Sequence, residues 1–274
     1  RGAADRASDP CLDACRDAFY VAVPARYAAA RLPGKPLRML AGRPLIAHTW
    51  ERAIESGARD VIVATDDQRV LAAVHAFGGR ALLTSSEHAS GTDRIAEVAD
   101  LEGWPDEAMV VNLQGDEPFL DGRLVRGLAE SLGARPDAGI ATLATPIRDA
   151  AELFDPNAVK LVLDDRQRAL YFSRAPIPWV REAFGGMGSP PPAELPPGVT
   201  FLRHLGIYAY RVRILRLLRD EKPRSLEHAE LLEQLRALAL SISIHVDLVD
   251  PAPARGVDTE EDLARAEQWA TRSR

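Results

Sequence analysis

Three cations, Arg26, Arg31 and Lys35, fall in one proline- and glycine-punctuated stretch, Pro24–Pro36. A nucleoside triphosphate needs a segment of this kind. Backbone N–H groups of a turn approach the phosphate oxygens, and Arg and Lys add charge-assisted hydrogen bonds. The spacing is neither a Walker A loop nor G-x-G-x-x-G. A solvated loop with scattered cations would have the same composition. Lysine is rare in this chain, with only Lys35, Lys160 and Lys222 among 34 cations, so one placed in such a loop stands out.

Acidic groups supply the complementary chemistry. Gln114-Gly-Asp-Glu-Pro118 begins where an apolar run ends. Asp116 is therefore expected at the end of a strand, where one or two carboxylates plus phosphate oxygens suit Mg²⁺. The same residues also make a good turn. Asp258, in Gly256-Val-Asp-Thr-Glu-Glu261, has the pattern of a helix N-cap and could instead be a second metal ligand. Ser90-Gly-Thr-Asp-Arg94 opens a helix with small residues and could set Arg94 and backbone N–H groups around a base or a sugar carboxylate; the alternative is a plain capping segment. His204 stands at a strand entrance, where a lone histidine is more often structural. Glu227, Glu230, Glu233 and Gln234 share a helix that could simply be a solvated charged face.

The elements that must position these groups follow from periodicity. Phe19–Val23 reads as a buried strand. A helical stripe through Leu45, Ile46, Trp50, Ala53 and Ile54 ends at Gly57. The strand 60–64, a helix from Asp67 to Phe77, the strand 81–83, a helix from Thr92 to about Leu101 and the strand 109–113 follow. This alternation predicts βαβ units and a largely parallel α/β sheet covered on both faces. Ligands in such folds bind beyond the carboxyl ends of the strands. The polar segments after the first, second and fourth strands are then candidates for one shared site. The second half is more mixed, with strands expected at 140–144, 159–163, 169–172, 206–210 and 242–249. A single helix is expected over 226–240, and another after Asp258-Thr259. Residues 185–198 hold five prolines and four glycines and read as a flexible loop.

Composition bounds the class. The chain has 274 residues, 46% hydrophobic and 27% charged, which is ordinary for a globular protein. A net charge of −6 argues against a nucleic-acid backbone as the main partner. No apolar run is long enough to span a membrane, and the acidic first eighteen residues do not resemble a secretory signal. Cys11 and Cys15 have no second Cys or His pair at metal spacing, so a reducing cytoplasmic setting is expected. Residues 1–18 are expected to be a disordered or non-native leader, and 19–274 a single domain.

Taken together, several long stretches resemble one family. They are Pro24–Pro36, Ser90–Arg94, Gln114–Pro118, Tyr171-Phe-Ser-Arg-Ala-Pro-Ile-Pro178, Phe201-Leu-Arg-His-Leu-Gly-Ile-Tyr208, Leu226-Glu-His with Leu232-Glu-Gln-Leu-Arg236, and Gly256-Val-Asp-Thr259. In order, over about residues 19–268, they resemble the 3-deoxy-manno-octulosonate cytidylyltransferases (CMP-KDO synthetases). The resemblance implies a Rossmann-like nucleotide-diphospho-sugar transferase fold with a mostly parallel central sheet and a smaller mixed excursion in the second half. It also implies a homodimer and Mg²⁺-dependent transfer of CMP from CTP to 3-deoxy-D-manno-octulosonate (KDO), releasing pyrophosphate and activating KDO for lipopolysaccharide synthesis. By the family pattern Arg26 and Lys35 hold the CTP phosphates, assisted by Arg31, and Asp116 and Asp258 hold Mg²⁺. Ser90 and Gly91 lie near cytosine. Arg94, Gln114, Arg174, His204, Tyr208, Glu233 and Gln234 surround the sugar acid.

The departures are local. Ala29 and Ala30 stand where the family usually has Ser and Thr in its first loop; a hydroxyl that contacts phosphate there would be worth about 1 kcal/mol of CTP affinity. Leu238–Ser243 lacks the glycine turn expected between helix and strand, and 189–197 looks like an enlarged loop. Two alternatives remain: a sibling enzyme for another acidic sugar, such as 8-amino-KDO or a sialic acid, and a non-catalytic nucleotide-binding relative.

Overall fold

The computed structural model describes residues 19–28, 31–88, 90–186 and 190–272. The expected leader, Ala29 and Ala30, and part of the loop 185–198 lie outside the described residues. Residues 190–200, inside them, carry neither helix nor strand.

The strands are β1 (Phe19–Pro24), β2 (Met39–Leu40), β3 (Arg43–Pro44), β4 (Asp60–Thr65), β5 (Ala81–Leu83), β6 (Met109–Asn112), β7 (Ile140–Pro146), β8 (Lys160–Leu163), β9 (Ala169–Ser173), β10 (Leu202–Arg211) and β11 (Ile244–Leu248). Among the described residues β2 and β3 pair with each other. The main sheet runs β11-β7-β10-β6-β1-β4-β5, with β8 pairing to β10 and β9 to β8. Strand β1 lies parallel to both β4 and β6, and β11 parallel to β7. Only β10, antiparallel to β6 and β7, reverses direction within that path. The sheet is therefore mostly parallel, as expected, and β8–β9 form the mixed excursion.

Side-chain alternation explains why both faces are covered. Within β1 and β4, Ala22, Ile62 and Ala64 pack on one face, and Val21, Val23, Val61 and Val63 on the other. Each set joins a separate apolar cluster. The helix Gly91–Leu101 contributes Ile95, Ala96, Val98 and Ala99 to the first. The helix Gly122–Gly133 contributes Val125, Leu128, Ala129 and Leu132 to the second. A strand buried on both faces has no room for the polar-out alternation of an edge sheet, which is why β1 and β6 read as unbroken apolar runs.

The chain leaves β1 towards β4 and β5 on one side and returns to place β6 on the other. The strand order thus reverses at β1, and the crevice beyond the carboxyl ends of β1 and β6 is a topological switch point.

Two expectations for the second half are corrected. The single helix over 226–240 is broken into Ser225–Glu230 and Gln234–Ala239, with Leu231 at φ 53° between them. On a continuous helix Glu230 and Glu233 would stand side by side. The break sends them to different partners, described below. The missing glycine turn is supplied by Ser241, which takes φ 59°. That is the left-handed conformation glycine adopts at least cost.

Candidate active site

Three loops build the site, each fixed by backbone contacts. The segment after β1 folds back through the Gly34 N–H, which bonds the Tyr27 carbonyl at 3.2 Å. Gly34 has φ 68°, and a Cβ there would lie 3.2 Å from the Tyr27 ring. The loop after β6 lies against β1: the Gly115 N–H donates to the Pro24 carbonyl, and the Thr49 hydroxyl to the Gly115 carbonyl at 3.1 Å. The third segment comes from far along the chain. The Val257 N–H donates to the Asp116 carbonyl at 2.8 Å. A Cβ on Gly256 would fall 2.8 Å from both that carbonyl and Glu117 Oε1. Only a residue without a side chain allows this approach, which brings Asp258 beside Asp116.

The two carboxylates meet at Lys35. Its ammonium donates to Asp258 Oδ1 at 2.7 Å and also to Asp116 Oδ2. Arg31 adds an ion pair to Asp258 at 3.2 Å. Burial disfavours the Lys35 charge, but the two carboxylates outweigh it and hold the ammonium above its ordinary pKa. Burial also works against ionised Asp258, yet Lys35 and Arg31 keep that carboxyl below its usual range. Asp116 is more deeply enclosed, and burial pushes it up despite Lys35. Glu117, next in sequence, is pushed up to about 8 by burial and by the Asp116 and Asp258 charges.

Two cavities open from this point and share Gln114 and Asp116. The smaller, about 190 Å³, is lined by Arg26, Lys35, Gly91 and Gly115. The larger, about 580 Å³, is lined by Arg31, Glu117, Asn157, Arg174, Arg203 and His204 among others. Gln114 is oriented by donating its amide to Asn112 Oδ1 at 2.8 Å. Arg26 is held by donation to the His88 carbonyl at 2.6 Å. Arg174 leans on the Glu230 and Pro156 carbonyls, at 2.7 and 2.9 Å. His204 shares a 2.9 Å hydrogen bond with the Thr142 hydroxyl and packs edge-on to Phe172. Burial pushes the imidazole well below its ordinary pKa, so it is neutral at pH 7.

The remaining expected residues line neither cavity. Arg94 is fully buried and bonds Thr84 and, at 2.9 Å, Asp66, bracing the loops after β4 and β5. Ser90 caps the helix Gly91–Leu101 by accepting from the Asp93 N–H, and its hydroxyl donates to Glu233 Oε1 at 2.9 Å. Glu233 also accepts from Thr92, so it secures that helix start. Tyr208 packs behind His204, ring centres 5.1 Å apart. Gln234 opens the second short helix. Of these five, Ser90, Glu233 and Tyr208 adjoin the cavity-lining residues Gly91 and His204 through these contacts.

Sequence reasoning passed over Glu117 and Arg203, both of which line the larger cavity. Glu117 was visible in Gln114–Pro118, but a turn before proline explained it. Arg203 stood beside His204, and the alternation of β10 could have assigned it a face.

The site fits a divalent cation. Two hard oxygen ligands already converge on one positive charge, that of Lys35. Among the described residues no three His, Cys, Asp or Glu side chains form a ready cage. Mg²⁺ suits such a pair, since it takes few protein carboxylates and completes its shell with phosphate and water.

A parallel sheet with cations and paired carboxylates at its switch point defines a nucleotide-binding α/β protein built to handle phosphates. A family model described as cytidylyltransferase matches residues 20–244. A 3-deoxy-manno-octulosonate cytidylyltransferase of Methylococcus capsulatus is 55% identical over 249 residues, covering 90% of this chain and 95% of that protein. One from Hahella chejuensis is 52% identical over 248 residues, covering 90% and 96%. A solved CMP:2-keto-3-deoxy-manno-octonic acid synthetase complexed with CTP is 41% identical. It superimposes with a TM-score of 0.84 over 94% of this chain and 100% of that one. The chain belongs to the 3-deoxy-manno-octulosonate cytidylyltransferase family.

Proposed function

We propose that this protein transfers CMP from CTP to KDO, releasing pyrophosphate, with Mg²⁺ held by Asp116 and Asp258. The carrying observation is the junction where Lys35 meets both carboxylates between two cavities that share Gln114 and Asp116. The smaller cavity, with Arg26, Lys35 and Gly91, suits the nucleotide. The larger, with Arg174 and Arg203, suits an acidic sugar.

The residues act by positioning and charge, which supply most of the rate in phosphoryl-type transfer. Arg26 and Lys35 bind the triphosphate and neutralise charge on departing pyrophosphate. Arg174, Gln114 and neutral His204 orient the sugar so that its anomeric hydroxyl faces the α-phosphorus. As the new O–P bond forms, the hydroxyl proton passes to solvent water and the bond to pyrophosphate breaks. Mg²⁺, when bound, neutralises phosphate charge and lowers the pKa of an oxygen beside it.

The same reading includes a homodimer, by the family pattern, and a cytoplasmic setting, where CTP is available. Among the described residues no helix is long and apolar enough to cross a membrane. Lipopolysaccharide synthesis is the use to which CMP-activated KDO would be put. Pyrophosphate release measured with CTP, Mg²⁺ and, separately, KDO, 8-amino-KDO and a sialic acid tests the substrate. KDO is expected to give the highest kcat/KM. Faster turnover of a sialic acid would overturn the assignment, and no turnover of any sugar would favour a non-catalytic binding protein.

A further inference from the structure

Lys160, on β8, is fully buried, yet it forms no ion pair among the described residues. Its ammonium donates instead to three main-chain carbonyls: Asp155 at 2.7 Å, Ala158 at 2.5 Å and Arg174 at 2.6 Å. All three ammonium protons are thereby used. The acceptors come from two separate segments, one leading into β8 and one leaving β9, and Asp155, Ala158 and Arg174 all line the larger cavity. Lys160 itself lies behind that wall.

The connection to Arg174 is double. Lys160 holds the Arg174 main chain directly. It also holds the carbonyls on either side of Pro156, whose own carbonyl accepts from Arg174 Nη1 at 2.9 Å. From the far side, Glu230 accepts from the Arg174 N–H at 2.8 Å, and its carbonyl from Nε at 2.7 Å. Both supports of the guanidinium are thus tied down, one of them through Lys160. The residue type fits the task. A compact ammonium aims its three donors tetrahedrally, whereas a guanidinium confines its donors to one plane.

We propose that Lys160 is a positioning residue that fixes Arg174 and the cavity wall 155–159 for recognition of the sugar acid, acting without touching it. This rests on the reading of the larger cavity as the sugar site. Breaking a charge-assisted anchor is expected to weaken sugar binding about tenfold or more and leave the nucleotide side unaffected.

The test measures KM for KDO and for CTP in the full-length protein carrying Lys160→Met, Lys160→Gln, Arg174→Ala, or Arg174→Ala with Lys160→Met. Either lysine variant is expected to raise the KDO KM about tenfold and change the CTP KM less than about twofold. Added to Arg174→Ala, Lys160→Met is expected to cause no further rise. Equal movement of both KM values, no movement of either, or full additivity with Arg174→Ala would overturn the proposal. So would failure of both lysine variants to give a cooperative melt, which would make Lys160 a residue of the fold alone. If the unaltered protein turns over no KDO, the reading of the cavity fails and this inference falls with it. Turnover with no effect at Lys160 defeats the inference alone.

Discussion

The Val257 N–H donates to the Asp116 carbonyl oxygen at 2.8 Å. This one main-chain bond joins a loop of the first half of the chain to a loop near its end, and it sets Asp258 within reach of the Lys35 ammonium that Asp116 also holds. The neighbouring Gly256 makes the approach sterically possible.

Gly256→Ala is therefore expected to separate the two loops. The added methyl would meet the Asp116 carbonyl and Glu117 Oε1, both 2.8 Å from its position. Overpacking of this kind costs about 1–3 kcal/mol. Moving a ligand by even 1 Å can lower turnover about a hundredfold. Turnover is thus expected to fall far more than the melting temperature. A variant with unchanged kcat would show that the close approach is not needed for the chemistry.

Glu117 gives a pH signature. Its folded pKa, about 8, lies above the ordinary 4.5, because it is buried beside Asp116 and Asp258. Across that window the folded protein retains a proton that the unfolded chain releases. This contribution to stability is complete below about 4.5 and is lost as pH rises towards 8. Glu117→Gln removes the titration, so its gain in melting temperature over the unaltered protein, measured without added metal, is expected to grow from pH 5 to pH 8. A gain independent of pH would contradict the assigned environment.

The parallel half of the fold is legible in the sequence because buried parallel strands are unbroken apolar runs and each ends in a turn signal. Asp116 and Lys35 could be placed for that reason. Their partner could not be, since long-range contacts, the Val257–Asp116 backbone bond among them, bring Asp258 to them, and locally it looks like a helix cap. The resemblance to a family, not the local pattern, pointed to Asp258. Arg94 shows the opposite difficulty. A cation at a helix start suggests a ligand, and nothing near it in the sequence announces Asp66 and Thr84, its partners from two other loops. The break at Leu231 was hidden because helix propensity continues through it; Ser173 and Arg174 on one side, and Ser90 and Thr92 on the other, draw Glu230 and Glu233 apart.

Ser241 offers a stability test independent of the site. It holds φ 59° between the helix Gln234–Ala239 and β11. A non-glycine residue there costs roughly 1–2 kcal/mol, partly offset by the greater freedom of glycine in the unfolded chain. Ser241→Gly is expected to stabilise by about 0.5–1 kcal/mol in urea titration, with no change in kcat. Destabilisation would mean that the serine contributes contacts that outweigh its backbone strain.

The paired carboxylates are tested most directly by pyrophosphate release from CTP and KDO, comparing the unaltered protein with Asp116→Ala and Asp258→Asn, each with Mg²⁺ and with chelator. Turnover is expected in the unaltered protein with Mg²⁺ and not with chelator. Either substitution is expected to lower it at least about a hundredfold while the folded circular dichroism spectrum is retained. Undiminished turnover in chelator, or in folded Asp258→Asn protein, would contradict the joint role given to Asp116 and Asp258.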